Sequence, residues 1–222
     1  MKGPIIINCK NYLEVAGEKI IRLSEIAKNI SDSNNVEIML APPQNSLFYL
    51  SQLVKLPLIC QHIDDEKIGP STGFIIPELA KSYGAYGSLI NHSEHRIEYE
   101  YIQNLVVKLR QLHMTSIVCA STSEEVGKFA KIHPDMIAIE PPELIGTGKA
   151  VSKVNPSIIT DSVKEAGKHF KNIKVICGAG IVDKSDVQSA INLGSQGILI
   201  ASGLIRSDAW KDKLIELCEG FK

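Results

Sequence analysis

Glu140 ends an apolar run, Met136 to Ile139, and two prolines, Pro141 and Pro142, follow it at once. Proline fixes φ and removes a backbone donor, so neither strand nor helix continues past that point. Beyond them, Ile145-Gly146-Thr147-Gly148-Lys149 reads as a glycine-bracketed tip whose amides can approach an anion. A carboxylate on a rigid strand end beside an anion-gripping lid suits a general base acting on a reactive phosphorylated intermediate. The bland alternative is an ordinary surface loop with an exposed glutamate, since loops containing Gly and Pro are common.

Other polar residues fall at the ends of apolar runs. Asn8 and Lys10 are two apart after Ile5–Ile7, so both point to one side, and the lysine offers fixed positive charge. Gln61-His62 follows Leu56–Cys60. Asn91-His92-Ser93-Glu94-His95-Arg96 follows Leu89-Ile90, and a turn opened at Ser93 would aim amides at His92 and disfavour its cation. A lone histidine is more often structural; one inside such a cluster is a better site candidate. Cys177-Gly178-Ala179-Gly180 and Ala201-Ser202-Gly203 read as small-residue turns with free amides ahead of helices, a setting that binds phosphate. Each alone is also just a tight turn; the pair argues for a phosphate.

These residues need strands to hold them. Eight β-type runs recur, at Ile5–Asn8, Val36–Leu40, Leu56–Cys60, Tyr86–Ile90, Thr115–Cys119, Met136–Ile139, Ile173–Cys177 and Gln196–Ile200. Several are apolar at nearly every position, as in parallel strands buried on both faces. Helical stripes lie between them: Ile20, Leu23, Ala27 and Ile30, then Ile102, Leu105, Val106, Leu109 and Leu112, then Val187, Ala190 and Ile191, then Trp210, Leu214 and Leu217. Asp183 and Ser207 read as N-caps, and Asn155-Pro156 as a helix start. The alternation predicts an α/β (β/α)8 barrel, one domain over residues 1–222, with its site at the C-terminal ends of the strands. A doubly wound open sheet is the alternative, but Asn8-Cys9-Lys10 stands where its glycine fingerprint would be.

The 222 residues are 44% hydrophobic and 22% charged, which supports a large core and argues against disorder. A net charge of -1 without a basic cluster argues against nucleic acid. No apolar run approaches the length of a membrane span, and no signal-peptide pattern precedes the first strand, so the expected location is the cytoplasm. Five widely spaced cysteines, Cys9, Cys60, Cys119, Cys177 and Cys218, signal neither a zinc site nor disulfides.

With these blocks in view, the chain resembles the triosephosphate isomerase family along its whole length. The family's Asn-x-Lys matches Asn8-Cys9-Lys10, and its His-Ser-Glu-x-Arg matches His92-Ser93-Glu94-His95-Arg96. Its Glu-Pro and Ile-Gly-Thr-Gly-Lys match Glu140-Pro141 and Ile145 to Lys149, and its inter-subunit Thr-Gly matches Thr72-Gly73. The resemblance implies a triose phosphate substrate and no metal or cofactor. It makes Glu140 the base, gives neutral His92 the carbonyl and the enediolate oxygens, and has Lys10 stabilise charge while Asn8 orients the substrate. Glu94 and His62 would stand around Lys10. Ile145, Gly146, Gly178, Ala179, Gly180, Ala201 and Ser202 would bind substrate.

The chain departs from the family pattern at the turns after the last two strands, where the usual Tyr-Gly-Gly-Ser and paired glycines are replaced. It also has Pro141-Pro142-Glu143 at the lid hinge, His62 where many relatives have Asn, and shortened middle helices. This compact form is similar to the archaeal branch, which implies a homotetramer rather than a dimer. Another phosphosugar barrel, an epimerase or synthase, would share the phosphate turns without needing Lys10, His92 and Glu140 together. A non-catalytic scaffold barrel would have lost one of them.

Overall fold

The computed structural model describes residues 1–141, 154–170 and 172–222. Eight strands, β1 (Lys2–Asn8), β2 (Val36–Ala41), β3 (Ile59–Cys60), β4 (Gly87–Ile90), β5 (Thr115–Ala120), β6 (Met136–Ile139), β7 (Lys174–Cys177) and β8 (Ile198–Ile200), form one parallel sheet. Its order is β2-β1-β8-β7-β6-β5-β4-β3. The edge strands then meet through a parallel bridge from Leu40 to Leu58, supported by the Leu40 N–H donating to the Pro57 carbonyl at 2.9 Å. Last strand beside first, with the edges bridged, is a closed barrel rather than a doubly wound sheet.

The helices are α1 (Lys19–Asn34), α2 (Leu47–Leu53), α3 (Pro77–Ser82), α4 (Tyr99–Gln111), α5 (Ser123–Ala130), α6 (Pro156–His169), α7 (Lys184–Asn192), α8 (Ser202–Ile205) and α9 (Trp210–Glu219). The expected stripes face the sheet: Ile20, Leu23, Ala27 and Ile30 of α1 are buried, as are Ile102, Leu105, Val106 and Leu109 of α4. Leu112 lies just past the end of α4, as its C-cap. No helix among the described residues is long and apolar enough to cross a membrane.

Two sorted cores follow from period-two alternation along the strands. Ile6, Met39, Ile59, Leu89, Ile117, Met136, Ala138, Ile176 and Leu199 fill the barrel interior. Ile5, Ile7, Ile38 and Leu40 face the outer layer, as do Ile137, Ile139 and Val175. The same parity carries Ile6 to Asn8, Ala138 to Glu140, and Ile176 to Gly178, so these three residues turn toward the mouth.

Some boundaries differ from expectation. β3 has two residues because Pro57 has no N–H for the ladder. β8 starts at Ile198, although the Gln196 N–H still donates to the Val175 carbonyl at 2.8 Å; beside that bond, Ser195 Oγ accepts the Cys177 N–H at 3.0 Å and Gln196 Oε1 the Val175 N–H at 2.8 Å. Asp183 does cap α7, in a capping box with Asp186. Ser207 does not cap α9; Ala209 occupies that place, and Ser207 Oγ accepts the Ala209 N–H at 3.2 Å instead. Pro156 opens α6 after Asn155, whose amide oxygen accepts from Ser157 Oγ at 2.9 Å rather than capping the helix. All five cysteines are buried and unbridged. Burial raises the thiols of Cys60 and Cys218 to about 11 and that of Cys177 to about 12.

Candidate active site

β1 ends in a short local motif. Asn8 Oδ1 accepts the Lys10 N–H at 3.0 Å, and Lys10 takes a φ of +45°. A side-chain acceptor closing onto the backbone two residues on is how asparagine stabilises such a turn. Gln61 locks the turn from β3: its Nε2 donates to the carbonyls of Lys10 at 2.9 Å, Pro42 at 2.9 Å and Ala41 at 3.2 Å. Lys10 Nζ then donates to Glu94 Oε1 at 2.6 Å.

β4 presents its histidine by breaking parity. Leu89 faces the barrel interior, so strict alternation would aim His92 outward. Asn91 adopts a φ of +63° and redirects the chain. Its side chain donates to the Cys119 carbonyl at 3.0 Å and accepts the Ile97 N–H at 3.1 Å, while Arg96 donates to the Asn91 carbonyl at 3.0 Å. The His95 N–H closes a turn onto the His92 carbonyl at 2.8 Å. This is a single tight turn rather than the start of a helix. Inside it, the Glu94 N–H donates to His92 Nδ1 at 3.1 Å. A ring nitrogen that accepts from an amide carries no proton, so His92 is neutral with its proton on Nε2.

That assignment gives meaning to two further distances. Asn8 Nδ2 lies 3.5 Å from His92 Nε2. Asn8 Oδ1 is committed to Lys10, so two donors converge there rather than bond to each other. A substrate oxygen placed between them would accept from both, with the Lys10 charge nearby.

Glu140 is 2% exposed, and its Oε1 stands 3.6 Å from His92 Nε2. Its Oε2 is buried without a hydrogen-bond partner among the described residues. Such an acceptor is costly to keep and calls for a functional explanation. The Cys119 thiol lies close enough to feel the Glu140 charge. Burial, then that carboxylate, hold the thiol well above its ordinary range, so Cys119 is a proton-bearing neighbour and not a nucleophile.

Gly178 lies beneath the base. A Cβ there would meet Glu140 Cγ at 2.4 Å, so only glycine lets the carboxylate sit where it does. Gly178→Ala is expected to displace Glu140, lowering kcat by about a hundredfold and stability by about 1–3 kcal/mol. Steady-state kinetics beside urea titration checks both; an unchanged kcat would show that the carboxylate can work from elsewhere.

Lys10, His92, Glu140, Gly178, Ala179, Gly180, Ala201 and Ser202 line one pocket, joined by Tyr12 and Gly203. The Gly180, Ser202 and Gly203 amides make no hydrogen bond among the described residues, which leaves them available to an anion. The turn after β8 runs straight into α8 as expected. The turn after β7 does not: residues 181–183 separate it from α7, so its amides act as a turn and not as a helix end. Ile145 and Gly146 lie outside the described residues.

His62 lines a pocket together with Lys10 and Glu94, as expected, but its hydrogen bond goes elsewhere: its Nε2 pairs with Asp64 Oδ1 at 3.1 Å and its ring stacks on His95. Gln61, one residue earlier, holds the Lys10 turn. Burial, ahead of the favourable Asp64 hydrogen bond, holds the His62 imidazole below its ordinary value, and His95 adds to the lowering. The folded chain therefore resists a proton that the unfolded chain accepts. Stability is expected to fall as pH drops below about 6.5, and less steeply in His62→Asn. Urea midpoints for both proteins between pH 7.5 and 5.5 test this; parallel curves would count against it.

Comparison with known proteins agrees with this geometry. A family model described as triosephosphate isomerase matches residues 4–219. A triosephosphate isomerase of Cenarchaeum symbiosum is 44% identical, covering 97% of this chain and 96% of that protein. Those of Sulfurisphaera tokodaii and Methanothermus fervidus are 42% and 41% identical, covering 97% and 98% of this chain and 94% and 98% of theirs. The chain belongs to the triosephosphate isomerase family.

Proposed function

We propose that Lys10, His92 and Glu140, with Asn8 beside His92, isomerise glyceraldehyde 3-phosphate and dihydroxyacetone phosphate through an enediolate. The observation that carries this reading is Glu140, buried, with one oxygen unpartnered and the other 3.6 Å from the donor nitrogen of His92. A base for a carbon-bound proton needs a free, desolvated lone pair, because a C–H group cannot compete with solvent for it.

The substrate phosphate rests on the Gly180, Ser202 and Gly203 amides beside Ala179 and Ala201, with Ile145 and Gly146 adding to its grip. Glu140 removes the proton from one carbon and returns it to the next. The oxygen that gains charge accepts hydrogen bonds from His92 Nε2 and Asn8 Nδ2. His92 passes its Nε2 proton to one enediolate oxygen and recovers one from the other, so atoms and charge balance over the cycle. Lys10 opposes the negative charge of phosphate and enediolate throughout.

A homotetramer in the cytoplasm belongs to the same reading. Free buried cysteines suit a reducing compartment, and Phe48, Tyr49, Leu53, Phe74, Leu79 and Tyr83 leave apolar surface exposed on and beside the short α2 and α3. Light scattering that returns a dimer mass would remove the tetramer. The reaction itself is tested by a coupled assay on glyceraldehyde 3-phosphate, with His92→Gln as control. Fast turnover that collapses in the variant supports the reading, and a folded but inactive wild-type chain overturns it.

A further inference from the structure

The turn that fixes the proton on His92 is tied down at its base by Asn91 and Arg96. Its closing residue, His95, is exposed and would be expected to move with solvent. Instead its ring lies flat on His62, with centroids 3.6 Å apart and planes 13° from parallel. His62 is itself immobilised: it is 9% exposed and bonded to Asp64 Oδ1 at 3.1 Å. Asp64 is locked in turn, since its Oδ2 accepts the Ile75 N–H at 2.7 Å and its own N–H donates to the Ile75 carbonyl at 2.9 Å.

A continuous rigid path therefore runs from the base of the loop between Asp64 and Ile75, through two stacked rings, to the Glu94 amide that sets the His92 tautomer. The His95 N–H to His92 carbonyl bond closes the turn, the Lys10 ion pair at 2.6 Å holds its middle residue Glu94 from one side, and the ring stack holds its closing residue from the other.

We propose that His95 is a positioning residue: stacked on His62, it holds the His92–His95 turn so that the Glu94 amide keeps His92 with its proton on Nε2. The inference rests on the role given to His92 above. His95 touches no reacting atom, so its loss should act on turnover and leave substrate binding nearly intact. The titratable groups around the pair are Asp64 on His62, and Glu94 and Lys10 beside the turn.

The experiment compares wild type, His95→Ala, His95→Phe and His92→Gln by steady-state kinetics and by nitrogen-15 NMR of the imidazole rings. In the wild type the His92 ring should show a bare, hydrogen-bonded Nδ1 and a protonated Nε2. His95→Ala should give a mixture of tautomers and a kcat about tenfold lower, with KM within about twofold. His95→Phe keeps a flat ring on His62 and should recover both readouts. His95 is exposed, so these variants fold. Unchanged tautomer and kcat in His95→Ala, a change confined to KM, or no recovery in His95→Phe overturns the proposal. A wild-type rate in His92→Gln would instead remove the role of His92 itself, a separate failure.

Discussion

Glu140→Gln is expected to fold like the wild type and to lose about a thousandfold in kcat, with KM little changed. Glutamine fills the same volume above Gly178, which has no Cβ to displace it. What it lacks is a lone pair basic enough to take a carbon-bound proton. No neighbour can substitute. Burial alone, the larger cause in the wild type, holds the Cys119 thiol protonated, and Cys177 is likewise held high by burial. His92 presents a proton, not a lone pair, on the nitrogen that faces the site. Replacing a buried carboxylate by a neutral amide should also leave stability unchanged or slightly raised. Kinetics and thermal melting on one preparation decide the matter: near-wild-type turnover takes the base away from Glu140, and a lowered melting point would make it a packing residue.

Much of this site is legible before any coordinates. Glu140, Lys10 and Asn8 stand at ends of apolar runs, and a parallel barrel gathers strand ends at one rim. Period-two parity alone says that Asn8 and Glu140 share the side of Ile6 and Ala138. His92 is different, because parity sends it outward and the left-handed turn at Asn91 brings it back. Asparagine tolerates that conformation, but nothing local says which asparagine uses it. Gln61 was visible as a polar strand end, yet its grip on three carbonyls depends on β1, β2 and β3 converging. Tyr12 and Gly203 carry no signal beyond proximity to Lys10 and Ser202. The resemblance sets His62 around Lys10, but its stack on His95 is a contact between residues 33 positions apart that no periodicity encodes.

Lys10→Ala is expected to raise KM and lower kcat together, with kcat/KM falling by about a thousandfold. Lys10 is the only cation among the described residues lining the pocket. Its side chain is 15% exposed, so water screens it weakly, and Glu94 balances it from a more exposed position. A unit charge about 4 Å from an anion, at the effective dielectric of a half-buried site, contributes about 4 kcal/mol. That attraction acts on the phosphate before reaction, hence KM, and grows as the enediolate oxygen gains charge, hence kcat. The backbone should not register the change: the turn is held by Asn8 Oδ1 on the residue-10 N–H and by Gln61 on its carbonyl, neither of which involves the lysine side chain. Electrostatic origin makes a further distinction, since raising ionic strength should weaken wild-type kcat/KM far more than that of the variant. A fall in melting temperature with kinetics intact, or equal salt sensitivity in both proteins, would make Lys10 a structural residue and leave the charge of the intermediate to the neutral donors His92 and Asn8.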